Sequence, residues 1–417
     1  MSVKKSIQLS EDWIVILLGG LSIVFILLGL NIPLPVYNWS GGAELSSKLL
    51  TTDNLSALLY QLLFVWGIIA IGFLLSGKSL KHLFFGFPVL YLLTIFATFI
   101  AGSAQVRSLN LEAVIISLTV GLLISNFLKV PEWLKSVLST ELYVKIGLIL
   151  LGTGVIFGDI LKAGTLGLIQ ALAVVVSVWY FAYWISTKLK IDEELKMMLS
   201  SAVSICGVSA AIATSGAIKG DSKKLSYVIS LVLITAIPMM IGMPYLAQYL
   251  GLSQSVTGAW LGGTIDTTGA VVASGTLVGE EALKISTIVK FSQNVLLGIA
   301  AFVISIYWSY TKKQDVQEAQ LKPSLSIIWD RFPKFVLGFL GVSLLFSFVV
   351  QPEVISEVKG TFKNLQTLWF TLAFTSIGLE TKFSELFHKG NKKPLYAFLI
   401  AQLFNVLVTL AIAYILF

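Results

Sequence analysis

The chain alternates between long apolar runs and short polar connections. Apolar blocks occupy 13–32, 57–75, 83–101, 111–128, 142–161, 164–186, 195–218, 225–250, 256–276, 284–310, 332–350, 365–380 and 394–417. Most approach the ~20 residues an α-helix needs to cross about 30 Å of hydrocarbon. The period-two alternation of an outer-membrane barrel strand is absent. This pattern predicts an all-α polytopic membrane protein with about 11–13 membrane segments. The connections are too short for a second soluble domain, so 1–417 reads as a single membrane-embedded unit. The most hydrophilic stretches are about 33–56 and 311–331, and the latter reads as a linker between two bundles.

Two blocks differ in texture from the rest. One reads Ser200-Ser-Ala-Val-Ser-Ile-Cys-Gly-Val-Ser-Ala-Ala-Ile-Ala-Thr-Ser-Gly216, the other Gly258-Ala-Trp-Leu-Gly-Gly-Thr-Ile-Asp-Thr-Thr-Gly-Ala-Val-Val-Ala-Ser-Gly275. Both are dense in small and hydroxyl residues, and Ile205, Ala210, Ala213 and Thr214 align with Ile265, Ala270, Ala273 and Ser274. Glycine lowers the cost of leaving helical geometry. Unwound backbone is tolerated in a membrane only where it is buried in protein or lines a cavity. The spans 195–218 and 256–276 are therefore expected to be discontinuous helices, broken or re-entrant, that meet near mid-membrane. Close helix packing through small residues is the competing reading of such runs.

An interrupted helix presents the N–H groups and positive dipole end of its second half, which attract an anion. Ser204, Ser209, Thr264, Thr267 and Thr268 are placed to cap such half-helices and to add donors. Cys206, Gly207 and Gly263 complete the candidate substrate-binding set; Cys206 reads as a small packing residue, since no His lies in an apolar block. Asp266 is a carboxylate in mid-block, and retaining one costs a few kcal/mol. Lys290, inside the block 284–310, either snorkels or pairs with Asp266 in a buried coupling element. Asn294 and Gln293 add hydrogen-bonding capacity one turn on. Lys145 and Asp159 lie nearer block ends and read as structural.

Charge sets the orientation. Counting Lys and Arg against alternating loops places the N-terminus inside, with Lys78, Lys81, Lys129, Lys135, Lys188, Lys190 and Lys334. Lys219, Lys223 and Lys224 stay inside only if 195–218 enters and turns back, with 256–276 dipping in from the other side. The first block, after Lys4 and Lys5, reads as a retained signal-anchor helix. An internal echo aligns Gly152-Thr-Gly-Val-Ile-Phe-Gly-Asp-Ile-Leu-Lys-Ala-Gly164 with Gly378-Leu-Glu-Thr-Lys-Phe-Ser-Glu-Leu-Phe-His-Lys-Gly390, within 371–390. The two copies run in opposite directions, the signature of inverted repeats. A core over 142–310 would hold both discontinuous segments, leaving 13–128 and 332–417 for the remaining helices.

Composition agrees and excludes other classes. Hydrophobic residues make up 56% and charged residues 12%, about half the charged share of a soluble domain. The net charge of +7 follows from the basic loops, so nucleic-acid binding is not expected. One cysteine excludes a disulfide framework and a multi-thiolate metal site. His82 and His388 lie in basic loops. No metalloprotease helix, Gly-x-Ser-Gly element or Walker A loop is present, so no enzyme, cofactor or metal is expected.

The two segments, read as Ser204-Ile-Cys-Gly-Val-Ser-Ala-Ala-Ile-Ala213, Gly258-Ala-Trp-Leu-Gly-Gly-Thr-Ile265 and Val271-Val-Ala-Ser-Gly275 with Lys290 after them, resemble the sulfate-exporter (YeiH-type) family of bacterial membrane proteins. That family looks related to the wider group of cation/proton antiporters and bile-acid:sodium symporters. The resemblance implies inverted repeats, two broken helices that cross, and a panel or dimerisation domain. Many members carry a His-Asp pair after the Gly-Gly-x-Ile element, where this chain has Asp266-Thr267. The coupling chemistry therefore does not carry over directly.

The expected function is secondary active transport of a small anion, coupled to H+ or Na+ at Asp266, Lys290 and Asn294, by elevator-like alternating access. The expected setting is the cell inner membrane, N-terminus cytoplasmic, with a homodimer open. A passive channel built from two half-membrane segments and a membrane-embedded enzyme are the alternatives.

Overall fold

The computed structural model describes residues 10–108, 113–311, 329–330, 332–381 and 392–417. Among them the fold is carried by helices, and no β-strand forms beyond one isolated bridge, Trp39 to Ser103. The protein is an all-α polytopic membrane protein. Six of the described helices are long and apolar enough to cross a bilayer. The linker expected near 311–331 and most of the second echo element (382–390, with His388) lie outside the described residues.

The chain forms two compact units, 1–157 with 334–384 and 158–333 with 385–417. The first begins with α1 (Glu11–Leu27), α2 (Thr52–Leu75), α3 (Leu83–Ala101), α4 (Ala113–Phe127) and α5 (Thr140–Leu151). The chain then enters the second unit through α6 (Phe157–Lys188), followed by α7 (Glu193–Ser201), α8 (Val208–Ile218) and α9 (Ser222–Tyr249). That unit continues with α10 (Gln254–Thr264), α11 (Thr268–Val278) and α12 (Glu280–Thr311). Helices α13 (Phe335–Phe348) and α14 (Pro352–Glu380) return to the first unit, and α15 (Lys393–Leu416) closes the second.

In the first unit, α14 packs on α4 and α5. A Cβ on Gly121 would lie 2.6 Å from the Thr375 carbonyl oxygen, and one on Gly378 2.5 Å from that of Leu118. Only glycines let the two backbones approach so closely. Several polar groups in this apolar setting are satisfied across helices. Gln61 donates to Asn364 Oδ1 (2.6 Å) and accepts from Tyr91, and Thr94 bonds Thr375 at 2.9 Å. Lys145 pairs with Glu11 and Asp12 at 2.8 and 3.0 Å.

Two boundaries differ from the sequence blocks. The break expected between 161 and 164 lies at Gly152–Ile156, and α6 runs unbroken through Gly164. Two hydroxyls of α13 hold the break open: Ser343 Oγ donates to the Val155 carbonyl (2.6 Å) and Ser347 Oγ accepts from Phe157 N–H (2.9 Å). The core expected over 142–310 is divided differently as well. Helix α5 belongs to the first unit, and α15 joins the second, because its amide side chains serve the hairpins described next.

In the second unit both small-residue segments are helical hairpins. Arm α7 ends in a widened π-turn at Ala202–Cys206, Gly207 breaks the helix with φ +60°, and α8 runs back. The mouth closes on itself: Asp221 N–H donates to Glu194 (3.2 Å), and Lys224 pairs with Asp192 (2.7 Å) and Glu194 (3.1 Å). A Cβ on Gly220 would lie 2.9 Å from Met198 Cε, again joining the end of α8 to the start of α7. The second hairpin is α10, a break at Ile265–Thr267, and α11. Its mouth closes where Gly279, with φ +147°, lies against Gln254; a Cβ there would meet Oε1 at 2.6 Å. Each returning arm has 11 residues, roughly 16 Å, about half a bilayer core.

Helix α9 has 28 residues, roughly 42 Å, and joins one mouth to the other. The hairpins therefore enter from opposite ends of the unit and meet at their tips. This corrects the resemblance, which implied crossing broken helices. It agrees with the charge pattern: Lys188, Lys190, Lys219, Lys223 and Lys224 gather at one mouth, Glu280 and Glu281 at the other.

Candidate functional site

The tips leave backbone carbonyls without helical partners, as any helix C-terminus does. In the first hairpin the π-turn spends the Ala202 carbonyl on Gly207 N–H (3.0 Å). Those of Val203, Ser204 and Ile205 remain. In the second, Ile265 N–H reaches the Leu261 carbonyl (3.0 Å), and of the carbonyls that follow, those of Gly263, Thr264 and Ile265 lie at the tip.

All six are met by side-chain N–H donors from α12 and α15. Lys290 Nζ donates to the Ile205 carbonyl (2.9 Å), the Ile265 carbonyl (2.8 Å) and Gln293 Oε1 (2.8 Å). Gln293 Nε2 donates to Ser204 (2.9 Å) and Gly263 (3.2 Å). Asn405 Nδ2 donates to Val203 (3.1 Å) and Thr264 (3.3 Å), and Gln402 Nε2 adds a bond to Thr264 (3.1 Å). Lys290, 1% exposed, thus sits between the negative ends of two half-helices, which stabilise its charge.

The expected pairing of Lys290 with Asp266 is not direct. The three ammonium donors are spent on two carbonyls and an amide, and no ion pair between the two residues lies within 4.0 Å. Asp266 is 2% exposed, and its Oδ2 is buried without a hydrogen-bond partner. It lies against the other hairpin: a Cβ on Gly207 would be 3.0 Å from Asp266 Cβ. The two interruptions are in contact, carboxylate beside the starts of α8 and α11, ammonium beside the ends of α7 and α10.

The other expected residues divide. Thr267 caps α11, its Oγ1 accepting from Ala270 N–H. Thr268 Oγ1 accepts from Asn294 Nδ2 (3.3 Å), while Asn294 Oδ1 and Thr264 Oγ1 are buried without partners. Gly207 caps α8 with no side chain. Ser204 does not cap it, because its hydroxyl donates to the Ser200 carbonyl (2.8 Å). Ser209 is exposed rather than turned into the tip. Cys206 is buried and packs with Ile205, Ala210 and Ala213 against Leu297 and Ala301. Gly263 is required by close approach, since a Cβ would lie 2.5 Å from Gln170 Nε2.

Gln170, Gln402 and Asn405 were missed by the sequence reading. Each is an amide inside an otherwise apolar span, the same signal that singled out Asp266. Among the described residues no cluster of three metal-ligating side chains occurs.

Comparison with known proteins gives a family. The family described as Conserved hypothetical protein 698 matches residues 85–397. A UPF0324 membrane protein of Rhodopirellula baltica is 41% identical over 376 residues, covering 88% of this chain and 69% of the relative. A UPF0324 membrane protein of Nitratidesulfovibrio vulgaris is 36% identical over 379 residues, covering 87% of this chain and 65% of the relative. The chain thus spans about two thirds of the length of these relatives, whose names carry no substrate. No solved structure matches. With a family match over three quarters of its length and relatives at this identity, the chain belongs to the UPF0324 family of membrane proteins.

Proposed function

We propose that the chain is a secondary active transporter for a small anion, coupled to H+ or Na+ at Asp266, working by alternating access. The observation that carries this reading is the meeting of two re-entrant hairpins around a buried carboxylate and a buried ammonium. Charged groups at membrane depth are costly and are held where they serve an ion or substrate path. Half-helix N-termini at such a meeting point suit an anion. Gly207, Thr267 and Thr268 lie beside those N-termini, and Asn294 reaches Thr268. In this reading the mouth carrying Lys219, Lys223 and Lys224 faces the cytoplasm of an inner-membrane protein.

A passive channel would also use two half-membrane segments. The carrier is favoured because the tips touch, Gly207 against Asp266, with Lys290 bonded to both. The test is uptake of radiolabelled sulfate, thiosulfate and acetate by proteoliposomes under imposed pH and Na+ gradients. Wild type should show saturable, gradient-driven uptake of at least one probe, and Asp266→Asn should lose it while remaining monodisperse. Full activity in Asp266→Asn would remove the central residue; ohmic currents would favour the channel.

A further inference from the structure

The transport reading leaves the coupling ion as H+ or Na+, and the hairpin tips bear on that choice. A small hard cation in a protein is held by several oxygens at once. At a helix interruption those oxygens are normally the orphaned carbonyls. Here the carbonyls of Val203, Ser204, Ile205, Gly263, Thr264 and Ile265 all accept side-chain N–H donors already. Where the two negative helix ends converge stands Lys290 Nζ, 2.9 and 2.8 Å from one carbonyl of each hairpin. The residues that share it, Ile205 and Ile265, are also equivalent in the sequence alignment of the two segments. A fixed ammonium stands where the tip carbonyls converge, and the buried oxygens left open beside it belong to side chains, Asp266 Oδ2, Thr264 Oγ1 and Asn294 Oδ1 among them.

We propose, resting on the transport reading, that Lys290 is a built-in substitute for a bound sodium ion and that H+ taken up by Asp266 is the coupling ion. The proton comes from water on one side of the membrane, binds the unpartnered Asp266 Oδ2, and leaves to water on the other side. With Asp266 ionised, its charge balances Lys290 and the site is neutral. With Asp266 protonated, the Lys290 charge and the starts of α8 and α11 are left unbalanced, and the site attracts an anion. Proton and anion therefore load together and travel in the same direction, and a monovalent anion moves without net charge.

Among the described residues, the ionisable groups facing Asp266 are Lys290 from α12, which acts on it through space without an ion pair, and Cys206 of the first hairpin, next to the Gly207 that packs on Asp266. The lysines of α9 and α15, Lys223, Lys224 and Lys393, stand at the starts of those helices.

The experiment compares purified wild type and Lys290→Met in matched NaCl and choline chloride. Methionine keeps length and removes every donor. The wild-type melting temperature should be the same in both salts, and wild type should retain no radioactive sodium on scintillation beads. Lys290→Met should melt lower in choline and recover part of the loss in NaCl or methylammonium chloride, by ligand stabilisation of the folded state. A saturable, sodium-specific stabilisation or retention in wild type overturns the proposal, and that arm needs no variant. In proteoliposomes, replacing Na+ by choline should change pH-driven uptake of the probe anions less than twofold, while removing the pH gradient should cut it at least tenfold. Uptake that requires Na+ would overturn the proton assignment and leave the transport reading standing. Absence of uptake of every probe would strike the transport reading instead, while the sodium arm would still read what fills the carbonyl cage.

Discussion

Replacing Gly207 with alanine tests the hairpin tip at its most constrained point. Two costs follow from the geometry. The backbone holds φ +60° and ψ −112°, a conformation that residues with a Cβ rarely adopt, at about 1–3 kcal/mol. The added Cβ would also stand 2.7 Å from Val232 Cγ1 and 3.0 Å from Asp266 Cβ, and relieving such overpacking costs about 1–3 kcal/mol. Together the tip is destabilised by roughly 2–6 kcal/mol. Cys206, the chain's one cysteine, is the adjacent residue and is 7% exposed. Its alkylation by a maleimide dye requires the tip to open, locally or globally, and either route relieves the strain. When closing outpaces labelling, the rate follows the opening equilibrium. At tenfold per 1.4 kcal/mol, labelling should accelerate roughly thirtyfold to ten-thousandfold. Gly242→Ala is the control: it lies within α9 with nothing within 4 Å of its ideal Cβ, so labelling should be unchanged or slower, since alanine favours helix by about 1 kcal/mol. Labelling of Gly207→Ala within twofold of wild type would refute the assigned tip geometry.

Two further outcomes follow from other parts of the fold. Gly262→Val places a Cβ 2.5 Å from the Ser286 carbonyl oxygen, a backbone atom of α12 that cannot swing aside. It should lower the melting temperature in detergent by about 2–12 °C, taking about 1–3 kcal/mol of overpacking at roughly 2–4 °C per kcal/mol, and an unchanged melt would place α10 further from α12. At the first mouth, Asp221 accepts from the backbone N–H groups of Lys223 and Lys224, and these bonds, with the nearby lysine charges, hold its carboxyl below the ordinary 3.8. Its contribution is then fully present above pH 3.8 and lost as pH falls through the lower folded value. Asp221→Ala should melt below wild type by a constant gap from pH 7 to pH 4 that narrows only under more acid conditions; a gap closing near pH 6 would contradict the cap.

The apolar runs located the helices because the bilayer sets their length. The two hairpins were legible from glycine and hydroxyl density, and their return from the placement of Lys219, Lys223 and Lys224. What could not be read was partner choice. Lys290 and Asp266 were both visible as costly charges, and opposite charges at similar depth invite direct pairing. The structure separates them because two tip carbonyls and the Gln293 amide surround Lys290, and the two carbonyls are free to accept only once the helices have broken. The hydroxyls misled for a related reason. Ser204 stands next to the break, yet in a π-turn its Oγ reaches the carbonyl four residues back, while Thr267, in extended geometry, is free to cap. The helix break at Gly152–Ile156 was missed because the hydroxyls that hold it, Ser343 and Ser347, lie some 190 residues away in sequence.

The amide donors constrain how such a site can move. Irregular backbone at membrane depth persists only while its polar groups are satisfied, and an unpaired buried carbonyl costs about 1–3 kcal/mol. Lifting the first tip alone would strip donors from Val203, Ser204 and Ile205; lifting the second would strip Gly263, Thr264 and Ile265. Lys290, Gln293 and Asn405 each hold both tips at once. Hinging either hairpin open at its tip therefore breaks three shared contacts, at a total of roughly 3–9 kcal/mol. Moving both hairpins with α12 and α15 breaks none of them. In the transport reading, the body that carries the site between the two faces is then the hairpin pair with those two helices, and the breaks act as a rigid binding floor rather than as gates.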